Sequence, residues 1–231
     1  MRIAGLQKMT LLDYPGRVAC TIFTGGCNLR CPFCHNAPLV LPGEETPILS
    51  EEEILAFLRT RQGLLDGVAI TGGEPLLHAD MGAFLEKIRA LGFAVKLDTN
   101  GTFPDRLEAL IGAGLVDRVA MDIKNGPSRY AETVGLPRVD LTALERSKEL
   151  LLRGTVDYEF RTTVVRGLHT EESLLEAARW IAGAREYYLQ QYKDSGHVID
   201  AAGLGSYSES EMRALAAAVR EIVPTVRVRG V

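Results

Sequence analysis

The sequence predicts an α/β fold, specifically a partial, laterally open (β/α)6 TIM-like barrel. Three observations predict it. Six segments of strand character are each followed by a helical segment, the alternation that a parallel sheet with helical crossovers requires. The chain has 231 residues, short of the roughly 250 that a closed eight-unit barrel takes. Four of the six strand candidates end in polar or thiol-bearing turns, at the end of a parallel sheet where ligands bind. A flat doubly wound sheet is the alternative architecture.

The first strand spans residues 17–24, with Val18, Cys20 and Ile22 on one face and Ala19, Thr21 and Phe23 on the other. It runs into Gly25-Gly26 and a cysteine-rich loop. A loop punctuated by Pro38, Pro42, Gly43 and Pro47 follows, and Ser50-Glu51-Glu52-Glu53 reads as a capping box opening a helix to about residue 62. Residues 68–71 are short and apolar, as a buried parallel strand should be, and end at Gly72-Gly73-Glu74-Pro75. A helix over 80–91 leads to a strand over 93–98, which ends in Thr99-Asn100-Gly101. The next pair is a helix over 104–113 and a strand over 116–123. After a less regular piece over 127–137 come a helix over 141–152 and a β-prone strand over 158–165. A helix over 171–182 and a strand over 186–191 complete the alternation. Ser208-Glu209-Ser210-Glu211 caps a last helix, which Pro224 stops. One domain over residues 1–231 is expected, with a short N-terminal extension over about 1–16.

Composition narrows the function classes. The chain is 46% hydrophobic and carries 26 basic against 30 acidic residues, for a formal charge of −4. No basic block recommends a nucleic-acid groove. No stretch approaches the roughly 20 apolar residues of a membrane span, and residues 1–16 lack an apolar run of signal-peptide length. A soluble, cytoplasmic protein is expected. Four cysteines are too few for a disulfide scaffold, and their clustering argues for metal or redox chemistry in a reducing compartment.

Three of the four fall within Cys27-Asn28-Leu29-Arg30-Cys31-Pro32-Phe33-Cys34-His35-Asn36. Structural zinc wants four protein ligands, whereas an iron-sulfur cube on three cysteinates keeps one iron open. Zinc on Cys27, Cys31, Cys34 and His35 satisfies the ligand count but explains none of the other strand endings. Cys31 to His35 also spells the C-x-x-C-H pattern of haem attachment, which leaves Cys27 unexplained. Cys20 lies in strand phase with Val18 and Ile22, as a buried core thiol would.

The C-x-x-x-C-x-x-C spacing followed by Gly72-Gly73-Glu74-Pro75 resembles the radical S-adenosylmethionine superfamily. The resemblance implies a 4Fe-4S cluster on Cys27, Cys31 and Cys34, with S-adenosyl-L-methionine chelating the open iron. Asp13-Tyr14-Pro15-Gly16-Arg17, Phe23-Thr24-Gly25-Gly26-Cys27-Asn28, Cys34-His35-Asn36, Asp98-Thr99-Asn100-Gly101 and Asp122-Ile123-Lys124 narrow it to the glycyl-radical-enzyme activases. Within these, residues 5–192 are similar to the activating proteins of anaerobic ribonucleoside-triphosphate reductase. Two departures stand out. Pyruvate formate-lyase activases carry Asp-Gly-Pro-Gly in place of Asp13-Tyr14-Pro15-Gly16, and Lys193 stands where they have a cofactor-contacting His.

The resemblance implies a reaction in which a 5′-deoxyadenosyl radical removes a Cα hydrogen from a glycine of a partner protein. That partner would be a glycyl-radical enzyme, the large subunit of anaerobic ribonucleotide reductase, with electrons from a flavodoxin- or ferredoxin-type donor. It implies that Asp98 and Asp122 approach a monovalent cation and the cofactor, and Lys124 the cofactor carboxylate; Asn100 and Lys193 join the cofactor site. On the residues themselves, Gly72 and Gly73 allow close approach to the backbone, and Glu74 can pair with a cationic amino group. Phe33 either shields the cluster and offers its backbone to the adenine, or packs. His35 is a loop anchor or a cofactor contact, and Arg161 binds an anion or forms a structural ion pair. A radical enzyme acting on a small molecule or peptide, of the 7-carboxy-7-deazaguanine synthase or maturase kind, and a non-catalytic iron-sulfur or zinc protein are the rival readings.

Overall fold

The computed structural model describes residues 1–41, 43, 48–194, 196 and 198–231 of the chain. Pro42 and Pro47, expected as loop punctuation, lie outside the described residues. The strands are β1 (Ile3–Thr10), β2 (Ala19–Thr24), β3 (Gly67–Gly72), β4 (Ala94–Thr99), β5 (Arg118–Asp122), β6 (Asp157–Val164), β7 (Tyr187–Gln191) and β8 (Val226–Arg229). They form one sheet in sequence order, β1 through β8. From β2 to β8 every pairing is parallel, and β1 joins β2 antiparallel. Among the described residues β1 and β8 do not pair, so the barrel stays open along one side.

The helices are α1 (Ala37–Val40), α2 (Glu51–Arg59), α3 (Met81–Ala90), α4 (Pro104–Gly112), α5 (Tyr130–Thr133), α6 (Leu141–Leu152), α7 (Glu171–Trp180) and α8 (Glu209–Arg220). Both predicted capping boxes form: Ser50 Oγ accepts from Glu53 N and Ser208 Oγ from Glu211 N, while each glutamate returns a bond to the cap backbone. Thr170 and Ser173 make a third. Because this box lacks the Glu or Gln of the usual signature, sequence alone passes over it. None of the helices among the described residues is long and apolar enough to cross a membrane.

Two edge strands correct the sequence reading. The expected N-terminal extension contains β1, in which Gln7, Lys8 and Met9 are exposed in succession, so no alternating apolar pattern marks it. Strand β8 does alternate, Val226-Arg227-Val228-Arg229, but lies beyond Pro224 and is only four residues long. The six units between them match the expected ones to within a few residues.

The two faces of the sheet differ in chemistry. Cys20, Ile22, Val68, Ile70, Val95, Leu97, Val119 and Met121 belong to the buried core beneath the helices. The alternate positions, Lys96, Asp98, Arg118, Asp122, Glu159 and Arg161, therefore face the barrel interior. Burying that many charges is tolerable only when each is paired. Glu159, almost fully buried, accepts from Arg118 Nη2 at 2.8 Å and from both terminal nitrogens of Arg229 at 2.8 and 3.1 Å. Arg229 thereby ties the last strand to the middle of the sheet, its guanidinium over the Tyr188 ring.

Candidate active site at the strand C-termini

A cavity of about 220 Å³ opens where β2 to β7 end. The loop after β2 forms one wall and is pinned from several sides. Gly25 N donates to Arg2 O at 3.0 Å and Gly26 N to Leu39 O at 2.7 Å. Arg30 N reaches Val134 O at 2.9 Å, Asp200 N reaches Pro32 O at 2.9 Å, and Asn36 Nδ2 donates to Gly72 O at 3.0 Å. A loop fixed at both ends and in its middle holds its side chains in place before any ligand arrives.

Cys27, Cys31 and Cys34 all line this cavity, and all are free thiols. Burial raises the Cys27 thiol above its usual range and pushes Cys31 up to about 12. Among the described residues no three His, Cys, Asp or Glu side chains converge on a single ion position. His35, the would-be fourth zinc ligand, is exposed and stacks on Tyr192 with ring centroids 5.5 Å apart. Three soft thiols spread round one cavity suit a cluster bound at three corners. Phe33, between two of them, is buried edge-on against His169 and also lines the cavity.

Gly72 and Gly73 form the adjoining edge, and their smallness serves the protein before any ligand. Gly72 has φ +123°, and a Cβ there would lie 2.3 Å from the backbone of Thr24; one on Gly73 would lie 1.9 Å from Gly26 O. The β2 and β3 ends touch backbone to backbone, with Gly73 N donating to Thr24 O at 2.9 Å and Glu74 N to Gly26 O at 2.8 Å.

Glu74 is engaged by the protein itself. Its carboxylate is fully buried and takes three protein donors: Leu76 N at 2.9 Å, Thr99 Oγ1 at 2.8 Å and Asn100 N at 2.7 Å. It clamps the end of β3 to the end of β4 and does not line the cavity. Burial pushes its carboxyl up to about 7 against those donors. Asn100, set by this clamp, lines the cavity and directs Nδ2 to Asn28 Oδ1 at 2.9 Å and toward Cys27 Sγ at 3.8 Å. The Lys193 side chain is exposed and is not among the residues that line the cavity.

The far wall is a charge lattice. Asp98, Asp122, Lys124 and Arg161 all line it. Arg161 Nη1 donates to Asp98 Oδ2 at 3.0 Å and its Nε to Asp122 Oδ1 at 3.0 Å. Lys124 Nζ takes Asp122 Oδ2 at 2.9 Å, and Lys96 pairs with Asp98 Oδ1. Burial alone would raise the Asp122 carboxyl, but Arg161 and Lys124 hold it down at about 2. His169 steadies Lys124 from behind. Its Nδ1 accepts from Val165 N at 3.0 Å, so Nε2 carries the proton and donates to Lys124 O at 2.7 Å. Burial depresses this imidazole to about 4, keeping it neutral.

Of the expected site residues, the fold brings Cys27, Cys31, Phe33, Cys34, His35, Gly72, Gly73, Asp98, Asn100, Asp122 and Lys124 to one cavity. Thr163 and Gln190 line it too, although no motif in the sequence marks them as site residues. Thr163 stands two residues from Arg161 on β6, and that strand phase was the signal available for it.

The chain also has relatives among known proteins. Residues 21–181 match the Radical SAM superfamily. The chain is 32% identical over 238 residues to a Methanocaldococcus jannaschii protein provisionally named a glycyl-radical enzyme activating enzyme, covering 98% of this chain and 95% of that one. It is 28% identical over 163 residues to the pyruvate formate-lyase-activating enzyme of Listeria monocytogenes, covering 64% of each. In fold it resembles Streptococcus suis SuiB bound to S-adenosylmethionine, with a TM-score of 0.70 and 16% identity over 90% of this chain and 49% of SuiB.

Proposed function

We propose, from the premise that the chain belongs to the Radical SAM superfamily, that it is an activase that installs a glycyl radical on a partner enzyme. The single observation that carries this reading is that three free thiols and the lattice of Asp98, Asp122, Lys124 and Arg161 line one cavity at the strand C-termini, joined to full-length likeness to a glycyl-radical enzyme activating enzyme.

Cys27, Cys31 and Cys34 would hold the 4Fe-4S cluster. Bound there, the cluster would supply the one electron needed for reductive cleavage of S-adenosylmethionine to methionine and a 5′-deoxyadenosyl radical, the species that would remove a Cα hydrogen from the partner's glycine. The chain itself needs no side-chain acid or base for this. Lys124 offers its ammonium to the cofactor carboxylate. The peptide edge at Gly72 and Gly73 faces the same cavity without side chains in the way, and Phe33 and Leu29 keep water off that wall. The open side of the barrel between β1 and β8 leaves room for a loop of another protein to reach the interior. The partner we favour is the large subunit of anaerobic ribonucleotide reductase, on the motifs that run from Gly5 to Tyr192, with a flavodoxin- or ferredoxin-type protein as electron donor.

The test is anaerobic. The reconstituted protein is mixed with dithionite and S-adenosylmethionine, with and without that reductase subunit, and 5′-deoxyadenosine and the glycyl-radical electron-resonance doublet are measured. Both products are expected when the subunit is present. Absence of 5′-deoxyadenosine from fully loaded protein would remove radical chemistry, and 5′-deoxyadenosine without the doublet would remove the proposed partner.

A further inference from the structure

We propose that the Arg161 guanidinium is the built-in cation of this site, so that a carboxylate-bearing ligand binds between Arg161 and Lys124 with no monovalent metal ion. The inference rests on the S-adenosylmethionine reading above and departs from what the activase resemblance implies for Asp98 and Asp122.

The geometry leaves a metal ion little to bind. Strand register sets Arg161 beside Asp122, and the side chain is long enough to reach Asp98 on the next strand but one. Its Nε and Nη1 each take one carboxylate oxygen at 3.0 Å. Lys96 and Lys124 take the other two. All four oxygens of the two aspartates are thus engaged by cationic donors, whereas a hard ion needs several oxygen ligands of its own. An added ion would also sit within a few ångströms of three positive charges, which repel it strongly where water is scarce.

The same lattice asks for an anion. Two carboxylates against three cations leave one net positive charge on the wall. Glu159 does not cancel it, being already bound by Arg118 and Arg229. Arg161 Nη2 has no hydrogen-bond acceptor among the described residues, so the planar fork keeps one donor group unused. Lys124 and Arg161 hold the two oxygens of the one Asp122 carboxylate and both line the cavity, so a ligand carboxylate set against that wall would meet donors from both.

The test is titration of S-adenosylmethionine into cluster-loaded protein, read by calorimetry under anaerobic conditions in sodium, potassium or choline chloride at equal ionic strength. The wild-type affinity is expected to agree within about twofold across the three salts. Arg161→Gln is expected to bind about tenfold or more weakly in choline, the loss of a charged hydrogen bond, and to recover several-fold when sodium or potassium supplies the missing charge. Arg161→Lys keeps a cation in place and is expected to stay insensitive to the salt; it decides the matter if the Gln variant does not load its cluster. A wild type that binds about tenfold tighter in sodium or potassium than in choline overturns the proposal, as does an Arg161→Lys protein whose affinity rises several-fold when sodium or potassium replaces choline. No binding in any salt would instead overturn the S-adenosylmethionine reading on which it stands.

Discussion

Gly73 lies against Gly26 so closely that a Cβ on it would sit 1.9 Å from the Gly26 carbonyl oxygen. That oxygen already accepts the Glu74 N–H at 2.8 Å. The contact joins the cysteine loop to the end of β3, and through the Glu74 carboxylate to Asn100 on β4. Three strand ends are therefore locked together by one glycine pair and one buried carboxylate, and the loop that carries the thiols inherits their rigidity.

Gly73→Ala should consequently disturb the thiols without touching them. A methyl group has no room unless the β2 and β3 ends part, and forced overpacking of this kind costs about 1–3 kcal/mol. We expect thermal denaturation several degrees lower and iron content after reconstitution well below that of the wild type. A variant that melts and loads normally would mean that the two backbones separate freely.

The cysteines should divide three to one. Cys27→Ala, Cys31→Ala and Cys34→Ala are each expected to abolish the cluster's absorption, because each thiol lines the cavity. Cys20→Ala should keep it and lose only about 1 kcal/mol of stability. Its side chain is fully buried in the helix-facing core, where burial pushes the thiol up to about 12. Iron and sulfide analysis of the four proteins checks this, and a loaded Cys31→Ala protein would refute the ligand assignment.

Acid should loosen the barrel at Glu159. Burial opposes the charge on this carboxylate, but hydrogen bonds from Arg229 and Arg118 outweigh it and hold the carboxyl at about 2, against an ordinary 4.5. A folded value below the unfolded one contributes stability that is complete above pH 4.5 and disappears as pH falls through about 2. The shift corresponds to about 3 kcal/mol. Arg229→Met should lower stability at pH 7 by about 1–3 kcal/mol, and its difference from the wild type should shrink as the pH drops below about 4.5. Denaturant melts at pH 7 and pH 4 measure both, and a difference that stays constant with pH would show that the Glu159 pair does not carry it.

Local sequence determined the cysteine loop, the six strand-then-helix units and the polar turns at their ends. Each of these is written in spacings of ten residues or fewer, where periodicity, capping and ligand distance act directly. Tertiary structure alone decided where the charges point. Glu74 reads equally well as a ligand for an amino group or as a clamp, and only the approach of Asn100, 26 residues on, makes it the clamp. Arg161 reads equally well as an anion site or an ion pair, until parallel pairing of β5 with β6 sets it across Asp122 and Asp98 from 39 and 63 residues away. The edge strands escaped for a related reason, since β1 is identified by the neighbour it pairs with and carries no pattern of its own. A strand's sequence fixes which side chains share a face, but the balance of charge on that face belongs to the assembled sheet, and in this protein that balance shapes the cavity wall opposite the thiols.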